Sequence, residues 1–93
     1  MKFEQLKDES PEGFRRLTGV KRTTFTVMTM ILNEAQVQLK AQGGKPNKLS
    51  IEDRLLMALE YLREYRTYFH ISRSYGLSES ACYRNIRWVE DTL

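Results

Sequence analysis

The chain is poor in cysteine, in proline and in long apolar runs, and each scarcity excludes a class of protein. Its one cysteine, Cys82, cannot form an internal disulfide, which fits a reducing cytosol. The longest apolar runs are a few residues, far short of the roughly 18 residues that a membrane-spanning helix requires. The start Met1-Lys2-Phe3-Glu4 turns acidic at once, so no signal peptide is predicted. We expect a cytoplasmic protein that makes no membrane contact.

Length and composition predict one small folded unit. The 93 residues are 41% hydrophobic and 29% charged, which is not the composition of a disordered chain. A chain of this size buries about 60–65% of its unfolded surface, which is enough for a modest core but not for a deep catalytic cleft. The net charge of +3 is a weak argument for a nucleic-acid partner when taken alone.

Signals for β-strands are almost absent, whereas signals for helix ends are frequent. Ser10-Pro11-Glu12 predicts a helix start with Ser10 as N-cap, and Gly19 predicts its end. A second helix is predicted from about residue 21 to residue 42. Its apolar residues recur at spacings of 3, 4, 3 and 4, namely Phe25, Met28, Leu32, Ala35 and Leu39. We interpret this seam as core, and the alternative is a dimer seam.

A third helix is predicted to open at Ser50, which caps it with Asp53 three residues on. Its apolar stripe consists of Ile51, Leu55, Leu59 and Leu62, widened by Leu56 and Ala58. It should end near Arg66, because Thr67 can cap a fourth helix. The predicted fold class is therefore all-α, with about five helices. Residues 1–44 form an N-terminal helical region, and residues 45–93 form a module that ends in a helix-turn-helix.

The helix-turn-helix prediction depends on the spacings around Gly76. The small residue Ser72 precedes this glycine by four positions, the aliphatic Leu77 follows it directly, and Ser78 can cap the next helix. The turn requires a left-handed backbone conformation, which costs a residue with a side chain about 1 kcal/mol or more. This position therefore favours glycine.

The last helix is predicted to have an inner and an outer face. Cys82, Ile86, Val89 and Leu93 step by 4, 3 and 4 and should point inward. The outer face then carries hydroxyls, an aromatic ring and guanidinium groups, which suit a DNA major groove because arginine can bind guanine O6 and N7 together. The predicted DNA-binding residues are Ser78, Ser80, Tyr83, Arg84 and Arg87 on this helix, Thr67 and Tyr68 at the start of the preceding one, and Lys45 and Lys48 in the loop before the third helix.

The loop "GGKPNK", residues 43–48, has two interpretations. It can be a plain linker between the two predicted regions. It can also be an arm whose Lys45 and Lys48, held extended by Pro46, lie on phosphates or in an A/T-rich minor groove. Both interpretations stay open at this point.

Nothing in the chain predicts a metal, a cofactor or a catalytic centre. His70 is the only histidine, and Cys82 is a poor second ligand because it lies on the wrong helical face. The adjacent acids Glu52 and Asp53, and likewise Glu90 and Asp91, diverge by about 100° on a helix and so do not converge on one ion. We expect an ordinary surface histidine, a half-buried Trp88 and no enzymatic activity.

The stretch "KLSIEDRLLMALEYLREYRTYFHISRSYGLSESACYRNIRWVEDTL", residues 48–93, resembles the N-terminal helix-turn-helix domain of insertion-sequence transposases of the DDE superfamily. The similar features are Leu-Ser-x-Glu-Asp, Leu-Arg-Glu-Tyr-Arg-Thr and Trp-Val-Glu-Asp, and "FRRLTGVKRTTF" at 14–25 looks like the stretch that precedes this module. Two residues depart from the pattern, since Cys82 stands where an aliphatic is usual and Asn85 faces partly inward.

The resemblance implies a bacterial, cytoplasmic protein that recognises the terminal inverted repeats of a mobile element. In that family a separate RNase H-like domain, with three carboxylates and divalent metal, cuts and joins strands. That domain is not in this chain, which we expect to be a fragment of a transposase or a short first reading frame. A transcriptional regulator with the same fold and a helical protein-interaction domain are the alternatives.

Overall fold

Five α-helices build the part of the chain that the structure describes. This computed structural model describes residues 2–41, 49–64 and 67–93, without the side chains of residues 40, 41 and 64. The order is a short 3₁₀ turn Phe3–Gln5, then α1 Pro11–Thr18, α2 Arg22–Ala41, α3 Ile51–Glu64, α4 Tyr68–Tyr75 and α5 Glu79–Thr92. The described residues contain no β-strand. The predicted all-α class is confirmed.

The helix ends lie where the capping residues predicted them. Ser10 Oγ accepts a hydrogen bond from the Gly13 amide at 3.0 Å, and Gly19 ends α1 in the left-handed conformation with φ 85°. Ser50 Oγ accepts from the Asp53 amide at 3.2 Å. Each cap satisfies a terminal amide that has no partner inside its helix.

Helix α3 is the centre of the packing, because it contacts α1, α2, α4, α5 and the 3₁₀ turn. Its residues 55–58 are all buried. The core around them joins both predicted regions of the chain, and its buried apolar members are Leu6, Phe14, Phe25, Leu32, Leu49, Ile51, Leu55, Leu56, Met57, Ala58, Ile71, Tyr75, Cys82, Ile86 and Val89. The division at residue 44/45 stays a prediction.

The buried face of α2 differs from the predicted seam. Phe25 and Leu32 are buried as predicted, and Thr29 and Gln36 lie beside them, buried and half-buried respectively. Leu39, by contrast, is 48% exposed. The predicted spacing averages 3.5 residues per turn, whereas a straight helix has 3.6, so the true face drifts from the predicted one over the roughly four turns between Phe25 and Leu39. Met28 and Ala35 are half-buried, so the seam is core from Phe25 to Ala35 and leaves the core only at Leu39.

Two other apolar stripes are shorter than predicted. Leu62 of α3 and Leu93 at the end of α5 were expected to point inward, and both are exposed. Each lies in or just past the last turn of its helix. The stripe is open to solvent at those positions, so the helical spacing of apolar residues by itself overestimates the length of the buried face.

The first residues of the chain are tied to α3 and α2. The Phe3 amide donates a hydrogen bond to Asp53 Oδ1 at 2.7 Å. The Phe3 ring stacks on Phe25 with centroids 5.6 Å apart, and Phe14 meets the same ring edge-on at 5.2 Å. Asp53 therefore has a second role besides the cap of α3, which is to hold the N-terminal segment on the core.

A buried hydrogen bond joins α4 to α3. The Tyr75 hydroxyl donates to Glu60 Oε2 at 3.3 Å, and both residues are buried. Burial, followed by the charge of Glu60, raises the pKa of Tyr75 well above its usual range, so the phenol stays protonated. Nearby, burial raises the pKa of the Cys82 thiol to about 11, and its Sγ lies 3.8 Å from Met57 Sδ. The predicted inward position of Cys82 is confirmed.

Gly76→Ala should lower the free energy of unfolding by about 1 kcal/mol, because φ is +69° and a left-handed backbone costs a residue with a Cβ about that much. Apart from the adjoining backbone, no described atom lies within 4 Å of the position that the new Cβ would take, so we expect the loss to be conformational and not steric. Urea denaturation measures it. Gly76→Asn is the matched control and should lose less, since asparagine tolerates this conformation. Equal stability of Gly76→Ala and the parent chain would refute the strained-turn account.

Candidate nucleic-acid interface

The turn between α4 and α5 has the geometry of a helix-turn-helix. Gly76 ends α4 in the left-handed conformation, with φ 69° and ψ 34°. The Leu77 amide then donates to the Ser72 carbonyl at 2.9 Å, which closes the end of α4. Ser78 Oγ accepts from the Ala81 amide at 3.2 Å and caps α5. The predicted glycine corner is confirmed, with Gly76 ending α4 and Ser78 capping α5.

Helix α5 has one buried and one exposed face, as its period predicted. Cys82, Ile86 and Val89 are buried, and Asn85 lies with them. The Asn85 amide donates to the Ala81 carbonyl at 2.9 Å, so its inward position is compatible with the apolar surroundings. The predicted contact residues of this helix, Ser80, Tyr83, Arg84 and Arg87, are all exposed.

The two exposed arginines of α5 differ in electrostatic state. Arg87 Nε lies 3.4 Å from Asp91 Oδ2, four residues on, and forms a solvent-exposed ion pair. Arg84 forms neither an ion pair nor a hydrogen bond within the ranges that the structure describes. A surface pair such as Arg87–Asp91 is weak and reduces the positive charge that the arginine presents. Arg84 is therefore the more available cation of the exposed face.

Three tyrosines connect the exposed face of α5 to the two helices before it. Tyr68 stacks on Tyr61 with centroids 4.6 Å apart, and Tyr83 meets Tyr68 edge-on at 5.4 Å. A hydrogen bond with Tyr61, together with burial, raises the pKa of Tyr68 to about 12. Tyr83 keeps 45% of its surface exposed. The ring of Tyr83 is thus held in place by α4 while part of it faces solvent.

The remaining predicted contacts lie at helix starts or in the loop. Thr67 caps α4: its Oγ1 accepts from the His70 amide at 3.3 Å and lies 2.8 Å from His70 Nδ1. Ser78 is exposed beside Ser80, with their hydroxyl oxygens 3.4 Å apart. Lys45 and Lys48 lie outside the described residues. DNA contact by any of these side chains stays a prediction.

Arg54 of α3 is a candidate that the sequence analysis missed. It lies in a surface groove of about 560 Å³ at the start of α5, which Ser78, Arg84 and Trp88 also line. Its guanidinium stacks on the Trp88 ring at 3.9 Å, and its Nη1 donates to Gln36 Oε1. The residue is only 6% exposed, its Nε has no hydrogen-bond partner in the described part of the chain, and burial lowers its pKa.

The position of Arg54 in the sequence does indicate that it is unusual. It shares a helical face with Ile51, Leu55 and Ala58, so it interrupts an apolar stripe with a charge. A charged residue on a core face is unusual unless it is paired. Trp88, predicted to be half-buried, is so in the structure and covers this arginine.

The described residues form neither a metal site nor a membrane-spanning helix. Over residues 2–41, 49–64 and 67–93, no group of three or more His, Cys, Asp or Glu side chains could hold a metal ion. None of the described helices is both long enough and apolar enough to cross a membrane.

Comparison with known proteins agrees with this geometry. Residues 47–93 match the family model described as "Helix-turn-helix of DDE superfamily endonuclease". All 93 residues align, at 43% identity, with the "Probable transposase for insertion sequence element IS702" of Microchaete diplosiphon, and the chain spans 33% of that relative's length. No solved structure matches the chain. Since the family match covers half of the chain and includes α3, the glycine corner and α5, the chain belongs to the helix-turn-helix family of the DDE superfamily endonucleases.

Proposed function

We propose that this chain is the part of a transposase that binds double-stranded DNA in a sequence-specific manner, with α5 in the major groove. The observation that carries the proposal is the exposed face of α5, where Ser80, Arg84 and Arg87 follow a left-handed glycine corner. A major groove about 12 Å wide admits one α-helix, and arginine, tyrosine and serine can all reach base edges or phosphates from it.

The charges along α5 indicate which end of the helix enters the groove. Glu90 and Asp91 are exposed in its last turns, where a phosphate would be repelled. Ser80 and Arg84 lie in its first two turns beside a single acid, Glu79, and the positive end of the helix dipole is at this side. Recognition helices present their N-terminal residues to base edges, so this distribution supports docking through the first two turns of α5.

The inferred target is the pair of inverted repeats that terminate a mobile element. The relative at 43% identity is named for such an element, as a transposase of an insertion sequence. The chain spans 33% of that relative. We therefore assign strand cleavage and joining to a separate part of the transposase, and binding to the residues of this chain. The site of action is the bacterial cytoplasm, on the nucleoid when DNA is bound.

The central experiment is selection of bound duplexes from a random pool, followed by sequencing. A specific binder should enrich one short motif, and that motif should occur in both ends of the parent element in opposite orientation. Enrichment of a promoter sequence would favour a transcriptional regulator instead. No retention of any duplex at low salt would exclude DNA binding, because even non-specific binders have dissociation constants of about 10⁻⁴–10⁻⁶ M.

Arg84→Ala should weaken binding to the selected motif by about 1–3 kcal/mol and relax base preference at one position, because a bidentate arginine contact to guanine is lost. Repeating the selection with the variant measures both effects. Arg16→Ala is the matched control, since Arg16 is an exposed arginine on α1, outside the helix-turn-helix. A variant that binds with unchanged preference would show that Arg84 does not read a base.

Exchange of both Lys45 and Lys48 for alanine tests the proposed loop arm. If each lysine neutralises one phosphate, the slope of log affinity against log salt concentration should fall by about 0.9 per lysine. A double change of Lys2 and Lys7, which are exposed at the other end of the chain, is the control and should leave the slope as it was. An unchanged slope in the Lys45/Lys48 variant would show that the loop is a linker and does not contact phosphates.

We infer further that the chain forms a homodimer through the exposed face of α2. Four apolar side chains there, each between 45% and 67% exposed, are Val27, Met30, Ile31 and Val37. At about 100° per residue they span roughly a third of the helix circumference, opposite the buried Phe25 and Leu32. A second copy suits this face because one helix-turn-helix reads only a few base pairs, whereas inverted repeats present two sites.

Met30→Glu should shift the dimer equilibrium to monomer, because two carboxylates would be buried at the contact. Sedimentation equilibrium of the duplex-free chain measures this shift. Asn33→Asp, at an exposed position of α2 about 40° outside the arc that these apolar side chains span, adds the same charge and should leave the dimer in place. If the parent chain sediments as a monomer at every concentration tested, the homodimer is wrong.

A further inference from the structure

We propose that the groove at the start of α5 is a phosphate site, in which Arg54 and the first turn of α5 bind one phosphodiester of the duplex. Arg54 lines the groove together with Ser78 and Arg84. This inference rests on the proposed function and adds to it a contact that comes from outside the helix-turn-helix. Its role is to fix where α5 lies along the DNA backbone, not to read sequence.

The first support is that Arg54 lacks a counter-ion. Its side chain is only 6% exposed, and no carboxylate in the described part of the chain forms an ion pair with it. Its Nε, which is shielded from solvent, has no hydrogen-bond partner among the described residues. A buried guanidinium is ordinarily paired, since removing its charge from water is costly. The Trp88 ring and one amide oxygen of Gln36 offset only part of that cost.

The second support is the helix start that borders the same groove. Ser78 Oγ accepts from the Ala81 amide, and the Ser78 carbonyl accepts from Cys82. The amides of the two residues between, Glu79 and Ser80, belong to the first turn, where amides have no acceptor inside the helix. The start of a 14-residue helix thus adds donors and a positive dipole end to the groove.

The third support is the position of Arg84 at the groove wall. With Arg54 it places two arginines that have no carboxylate partner within the described ranges around one cavity of about 560 Å³. Such an arrangement repels cations and favours a small anion with several acceptor oxygens. A phosphodiester has that chemistry, and arginine binds it in bidentate fashion.

A DNA-free titration tests the site by itself. Sodium sulfate is added to the parent chain at constant ionic strength against sodium chloride, and the NMR signals of Arg54 Nε–H and the Trp88 indole N–H are followed. We expect both signals to shift saturably with sulfate and not with chloride. Signals that move equally with the two salts would overturn the phosphate site.

A second experiment measures the site on DNA. Arg54→Met keeps the length of the side chain and removes the charge, so affinity should fall several-fold for every duplex. The slope of log affinity against log salt should fall by about 0.9, the value for one phosphate. An unchanged slope would overturn the inference.

Arg22→Met is the matched control for this variant. Arg22 also stacks on an aromatic ring, that of Phe14 at 4.3 Å. Its Nη2, unlike the Nε of Arg54, has acceptors in the protein, the Glu9 carbonyl at 2.6 Å and the Leu6 carbonyl at 3.5 Å. Its loss should therefore leave the salt slope unchanged.

If Arg54→Met does not fold, the phosphate site can be tested on the parent chain instead. Adding the selected duplex to the parent chain should shift the Arg54 Nε–H signal, and an unmoved signal with DNA bound overturns the site. The outcomes distinguish failure of the phosphate site from failure of the proposed function. Duplex binding with an unmoved Arg54 signal leaves the proposed function standing without the phosphate site. Saturable sulfate binding without duplex binding supports the anion site and removes the proposed function.

Discussion

The packing of α5 on α3 is the constraint on which the rest of this structure depends. Cys82, Ile86 and Val89 are buried, and the Cys82 sulfur lies 3.8 Å from that of Met57 in the middle of α3. A helix has one set of neighbours per face, so burying this row determines that Ser80, Arg84 and Arg87 face outward. The glycine corner sets where α5 begins, but only this apolar contact sets how it is rotated about its axis.

A hydrogen bond and a set of aromatic contacts, next to this apolar packing, hold the two helices of the helix-turn-helix in place. The Tyr75–Glu60 hydrogen bond fixes α4 on α3, and the Tyr61–Tyr68–Tyr83 contacts join α3, α4 and α5. Rings lose little conformational freedom when they are ordered, so such a cluster can position an exposed tyrosine at low entropic cost. A rigid exposed face is what sequence reading requires, because base contacts depend on angle as well as distance.

Local features of the fold were predictable, and contacts distant in sequence were not. Gly19, Gly76 and the caps Ser10, Thr67 and Ser78 each act within a few residues, so their chemistry can be read directly from the chain. The Phe3–Asp53 hydrogen bond joins residues 50 positions apart, and no local sequence pattern predicts it. Leu39 was misplaced for a related reason, since which end of a long amphipathic helix is covered depends on its neighbours. The charges of the outer face were predictable by type, but not the pairing of Arg87 with Asp91 or the burial of Arg54.

The small net charge of +3 bears on how such a domain could recognise DNA. Non-specific affinity grows with the number of phosphates that are neutralised, and a chain with few excess cations gains little of it. Arg87 is already paired, whereas Arg54 and Arg84 have no acidic partner among the described residues and share one groove. Residues 67–93 carry three basic and three acidic residues, so what distinguishes the start of α5 is this pair of arginines and not an excess of positive charge. A binder built in this way depends on a few well-placed contacts, so its preference for the correct sequence over random duplex can be large even when its total affinity is modest.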